Sequence, residues 1–292
     1  MTGLAPIDGL ALLAIGAKTA GYAAALLAMG GVLFVAVFRK RADADVLHLA
    51  RQLATWAALI GLAVLTARFG LRAARISGMG WDGATDPTML GFVWQSPLGA
   101  AAIWRGLGEA AILAVLLPGA GLWIALGGAV AVAVSYAQVG HTLGDPRTAL
   151  AALLVLHLLA AAFWVGALAP LRRATARPEG ADLLHRFGTL AVGIVALLAL
   201  AGVGLSWLLS GSLAALLGTA YGWGLLSKVA VVAVLLGLAA WNKLRLVPAL
   251  TYGAPGASAI LRRSIALEGA AVGAILLATA AITTVTTPPV NL

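Results

Sequence analysis

Cysteine is absent from this 292-residue chain. That excludes disulfides, thiolate metal sites and cysteine nucleophiles. Charge is scarce too: Asp, Glu, Lys and Arg make up 10% of the residues, against about 25% in a soluble domain. A chain so poor in charge cannot dress a water-facing surface. No GxxxxGK[ST] phosphate loop occurs, so nucleotide hydrolysis is not expected to drive whatever the chain does, and it is read as a non-enzyme. No Lys or Arg precedes the first apolar run. That run is also too long for a signal-peptide core, so a retained first span is expected rather than a removed leader.

What the chain has in quantity is apolar residues, 62% of the total. The natural outer solvent for such a chain is lipid. Eight stretches approach the ~20 apolar residues a span needs. They cover about 11–38, 51–71, 98–117, 120–139, 149–171, 187–210, 221–246 and 264–285. The expected fold class is all-α: a polytopic transmembrane helical bundle, one transmembrane domain over 1–292. Gly is plentiful, with 36 residues, and small residues let helix backbones approach closely.

The net charge of +9 finds its explanation in topology. Arg39, Lys40, Arg41, Arg51, Arg172, Arg173, Arg177, Arg186, Lys243, Arg245, Arg262 and Arg263 all fall on one face if the spans alternate. Arg68, Arg72, Arg75 and Arg147 fall on the other. Lys and Arg are retained on the cytoplasmic side, so an even number of spans with both termini periplasmic is expected. Membrane lipid is then the surrounding partner, and no nucleic acid is needed to explain the charge. The longest outer connection, about 72–97, is rich in Gly, Pro, Asp and Trp. It reads as an ordered lid or interfacial segment. The connection at Pro118 and Gly119 is so short that spans three and four must form an antiparallel hairpin.

Ionisable groups inside spans are costly and rarely face lipid. The candidates are Lys18, Arg105, Glu109, Lys228 and Glu268. Arg105 and Glu109 stand i, i+4 on one helix face, so an internal salt bridge is expected, with a direct substrate role for Glu109 as the other reading. Lys18 and Lys228 can snorkel outward or find structural partners.

His48 and His185 fall near the basic connections and are expected to be solvated. His141 follows span four, and His157 lies in span five, ~12 Å below the outer surface at 1.5 Å per residue. A lone buried histidine is usually structural, but two on neighbouring spans of one half raise the prospect of a metal, since neutral imidazole suits copper and zinc. They share one ion only if the segment around His141 folds inward. Met79 and Met89 in the outer connection are weaker thioether candidates.

Several stretches together resemble the CopD/PcoD family of bacterial copper-resistance inner-membrane proteins. They are SPLGAAAIWRGLGEA at 96–110, GHT at 140–142, LHLLAAAFWVGALAPL at 156–171, RFGTLAVGIVALLALAGVGLSWLL at 186–209 and TAYGWGLLSKVAVVAVLLGLAAWNKLRLVPAL at 219–250. The resemblance implies an eight-span inner-membrane protein that moves copper, as Cu(I) or Cu(II), from periplasm to cytoplasm. It also implies that His141 and His157 ligate the ion. Trp164, Gly166, Lys228 and Asn242 match the family's stretches as well. Trp164 and Gly166 read as packing residues, while Lys228 and Asn242 have no assigned role. Some relatives carry a fused periplasmic copper-binding domain; a separate periplasmic copper chaperone is the expected donor here. Two other readings remain open: a haem-binding or copper-redox membrane protein, and a copper-receiving assembly or sensing partner without transport.

Overall fold

A computed structural model of the protein describes residues 8–177 and 179–286. Its helices run in chain order as α1 (Gly9–Phe38), α2 (Ala44–Ser77), α3 (Pro87–Gln95), α4 (Pro97–Ile112), α5 (Gly121–Ala137) and α6 (Arg147–Ala174). They continue as α7 (Gly180–Ser210), α8 (Leu213–Gly218), α9 (Ala220–Trp241), α10 (Val247–Thr251) and α11 (Ala257–Val285). A 3₁₀ turn, Leu113–Leu116, prolongs α4, and a π turn, Asn242–Leu246, joins α9 to α10.

The chain is a multi-pass membrane protein with an all-α bundle. Among the described residues, seven helices are long and apolar enough to cross a bilayer: α1, α2, α4 with its 3₁₀ extension, α6, α7, α9 through α10, and α11. The remaining expected span is α5, an apolar helix of 17 residues, or ~25 Å at 1.5 Å per residue. It returns antiparallel to α4 across the short turn at Pro118 and Gly119. Several helices outrun the apolar stretches read from sequence. The 34 residues of α2 make a rod of ~50 Å against a hydrocarbon core of ~30 Å, so its ends stand clear of that layer.

α1 is the central helix, packed on α2, α5, α6 and α11. Its crossings depend on missing side chains. A Cβ added to Gly30 would lie 2.7 Å from the Cα of Gly166, and one added to Gly166 would lie 2.7 Å from the Gly31 nitrogen. In the hairpin of α4 and α5, a Cβ on Gly128 would meet the Gly108 carbonyl at 2.6 Å. Lipid provides no hydrophobic force between helices, so such backbone approach supplies the dispersion energy of association.

The connections α1–α2, α6–α7 and α10–α11 gather at one end, here called the basic end. Beneath it Phe34, Phe38, Phe163 and Phe187 form an aromatic core, with Phe163 and Phe187 stacked at 5.5 Å. Arg173 donates to Asp45 at 2.7 Å and Arg177 also pairs with it, tying the end of α6 to the first turn of α2. At the opposite end the 72–97 connection is ordered. It is filled by the last turns of α2, a 3₁₀ turn (Gly80–Ala84) and α3. Gly78 closes α2 with φ at 69°, a conformation that glycine adopts without Cβ strain.

Candidate metal and buried polar sites

His157 lies on α6, ten residues from Arg147, and its ring packs against α7 where Gly202 leaves room. Its Nδ1 is 3.2 Å from the Leu198 carbonyl oxygen. A carbonyl only accepts, so Nδ1 carries the proton, and in the neutral ring Nε2 keeps its lone pair. Metal-binding histidines are commonly oriented this way, with the far ring nitrogen donating to a backbone carbonyl.

His141 lies in the 3₁₀ turn Gly140–Leu143, on the same end of the bundle as the opening of α6. Thr142 anchors that turn by donating to the Val139 carbonyl at 3.1 Å, and Gly140 permits it with φ at 76°. The His141 side chain lies outside the described part of the structure. Met79 is exposed beside the turn of Gly80–Ala84, and Met89 is half-buried in the first turn of α3. Both are at the end opposite the basic one. His48 and His185 are exposed near the basic end. Among the described residues no three His, Asp or Glu side chains come together as a ready metal cage.

The remaining intramembrane polar groups sort into two assemblies. The first lies in the half that holds His157. Lys18 of α1 donates to the Thr283 carbonyl at 2.7 Å and to the hydroxyls of Thr283 and Thr284 at 3.2 and 3.1 Å. Its ammonium is thus held by α11, a structural partner rather than a snorkelling position.

The expected salt bridge between Arg105 and Glu109 does not form. Arg105 instead donates to Ser135 Oγ through Nε and Nη2, both at 3.0 Å, and its guanidinium lies 3.6 Å from the centre of the Tyr136 ring. Glu109 is turned the other way, into α2, where a Cβ on Gly61 would fall 2.6 Å from the carboxyl carbon. The two side chains share a helix face but diverge toward different neighbours. Ser135 and the Tyr136 face draw the guanidinium to α5, and the space over Gly61 takes the carboxyl. Glu109 Oε2 is buried without a partner among the described residues. Lys228 on α9 is half-buried and makes no ion pair among the described residues.

The second assembly lies in the basic half and centres on Glu268 of α11, 5% exposed. Trp164 Nε1 donates to Oε2 at 3.2 Å, and Asn242 Nδ2 donates to Oε1. Trp164 is buried while the other eight tryptophans are exposed. Those eight face outward as membrane-interface tryptophans do; Trp164 is inside because its N–H has a carboxylate to meet. Sequence reading missed this link, taking Trp164 as a packing residue and leaving Asn242 unassigned. One signal was available. Pro248 cannot donate to the Leu244 carbonyl, and such a break invites the widened turn that Val247 N–H closes onto the Asn242 carbonyl.

Two family models match the chain. One, described as copper resistance protein D, matches residues 181–282, and the other, described as copper resistance protein D-like, N-terminal domain, matches residues 8–145. No curated protein and no solved structure matches it.

Proposed function

We propose, for a chain that belongs to the CopD/PcoD copper-resistance family, that it carries copper ions across the bacterial inner membrane, inward, through a site on the periplasmic side at His157 and His141. The observation that carries this reading is the hydrogen bond from His157 Nδ1 to the Leu198 carbonyl. It orients the ring so that Nε2 of the neutral imidazole is the nitrogen left to ligate, a borderline ligand suited to copper. The basic end is cytoplasmic in this reading, because it holds most of the Lys and Arg. An ion delivered by a periplasmic copper chaperone passes the segment of Met79 and Met89, is taken up by His141 in its surface turn, and moves to His157. Two imidazoles at different depths act in sequence, which removes the need for both to hold one ion at once.

The test is copper flux into proteoliposomes containing the purified protein. Saturable flux that the His141→Ala/His157→Ala double variant loses supports the proposal. Copper bound without flux would replace it with a receiving or sensing role, and a Soret band in the purified protein would point to haem instead.

A further inference from the structure

We propose that a lateral cavity in the basic half of the bundle is a lipid site: it takes one acyl chain of a phospholipid with a net anionic head group, whose phosphate pairs with the Lys243 ammonium. The cavity measures about 390 Å³ and lies among α6, α7, α9 with its π turn, and α11. That is within the size range of pockets that hold small ligands, roughly 300–1,000 Å³. Its walls are mainly apolar, and it is long. Along α7 it runs from Leu184 to Val195, ~16 Å at 1.5 Å per residue. One leaflet of a bilayer offers ~15 Å of hydrocarbon, so the cavity has the length of a lipid chain. Val192 and Leu244 line it and are 57% and 68% exposed. Those two side chains belong to the bundle's outer surface, so the cavity opens sideways toward lipid.

The level of the cavity in the membrane sets which part of the lipid meets which wall. The apolar run of α7 begins at Phe187, directly after His185 and Arg186. Gly188 therefore lies near the head groups, and Val195 lies ~10 Å deeper, toward the bilayer centre. Lys243 also lines the cavity. Its stem crosses α7 at Gly188, where an added Cβ would lie 3.5 Å from Cγ and 3.6 Å from Cδ. Lys243 forms no ion pair among the described residues. A long side chain at this level reaches its charge to the interface, where the anion on offer is a lipid phosphate. Glu268 is the carboxylate on the same wall, but both its oxygens accept N–H donors from Trp164 and Asn242. It also stands five residues inside Arg263 on α11, beside the chain of the lipid and below its head. A zwitterionic head brings its own cation to compete with Lys243 for the phosphate. A net anionic head brings none, and that sets the preference.

The probes are dioleoyl phosphatidylglycerol and dioleoyl phosphatidylcholine, which share their chains and differ in head charge. Binding is measured on the full chain in detergent without copper, by native mass spectrometry. The expected result is saturable binding of one phosphatidylglycerol, with phosphatidylcholine about fivefold weaker, the size of one interfacial charge. Lys243→Gln brings the two lipids to equal affinity. Lys40→Gln makes the same charge change at an exposed residue of the basic end that does not line the cavity, and it leaves the fivefold difference in place. Ala191→Phe, which fills the cavity midway along α7, abolishes saturable binding of both lipids. His157→Ala changes neither, which separates this site from the proposed copper site. No saturable phosphatidylglycerol binding, equal affinity for the two lipids in the unaltered protein, or full binding by Ala191→Phe overturns the proposal. So does a Lys40→Gln effect equal to that of Lys243→Gln, which would mean a diffuse basic surface. Tighter binding of free oleate than of phosphatidylglycerol overturns it in favour of a fatty acid, and a lipid-free dimer overturns it in favour of a second copy of the chain. If Ala191→Phe does not fold, the contrast between Lys243→Gln and Lys40→Gln decides it.

Discussion

The first half of the bundle and the second are built on different terms. In the most apolar 18-residue window of α1, 67% of the residues are buried inside the protein; in those of α7 and α9 the figure is 6%. Both regions are equally suited to lipid by composition, so hydrophobicity did not decide which would be interior. Side-chain size at the crossings did. α1 presents Gly30 and Gly31 to α6 and α2, and backbones meet there. α7 and α9 leave Gly193 and Gly237 with nothing near them, and their larger faces point outward. The tight half fixes helices against one another. The loose half leaves room, and the cavity beside Glu268 lies there.

The largest effect expected from this contrast is at the α1–α6 crossing. Gly166→Val should cost at least ~3 kcal/mol or prevent folding, because overpacking against backbone has no flexible neighbour to absorb it. Gly193→Val in α7 should stay within ~0.5 kcal/mol, as outward positions do. Thermal unfolding in detergent measures both, and equal losses would break the comparison. Next comes Glu268→Leu, which strands the Trp164 and Asn242 donors and should cost about 2–3 kcal/mol. Glu268→Gln, which keeps an acceptor oxygen, should recover part of that. If Leu and Gln lower the melting temperature alike, the hydrogen bonds are not what holds this corner.

Lys18→Met, removing the three bonds to Thr283 and Thr284, should cost about 1–2 kcal/mol. Hydrogen exchange should show the effect first in the last turns of α11. The smallest effect belongs to Asp45, in the first turn of α2 beyond the apolar layer. Hydrogen bonds from Arg173 and then Arg177 lower its pKa from 3.8 to about 2. A carboxyl whose folded pKa lies below its unfolded value stabilises the fold at pH above the unfolded value and loses that contribution as pH falls through the folded one. Between pH 4 and 2 the link from α2 to α6 should therefore weaken, and Asp45→Asn should flatten that part of the stability profile. The pair is exposed, so high salt should mute the difference.

Much of this molecule was legible in the chain. Apolar runs of span length and scarce charge identified a helical membrane bundle, because backbone groups in lipid must be satisfied within a helix. The hairpin of α4 and α5 followed from a connection too short to do anything else. His157 could be singled out because an imidazole within a span is uncommon. The error at Arg105 and Glu109 shows where such reading fails. Spacing along one helix established that the two side chains share a face, but not which neighbouring helix each would reach.

What the sequence by itself determined was the solvent, the fold class and the family, since those depend on local composition and on short runs of residues read in order. What only the tertiary structure decided was the pairing of distant groups: Lys18 with Thr283, Arg105 with Ser135 and Tyr136, and Glu268 with Trp164 and Asn242. A hydrogen bond is satisfied within about 3 Å, and which atoms come that close depends on how the helices cross. The crossings are set by the glycines that let backbones touch, and their consequences appear only when the helices are packed.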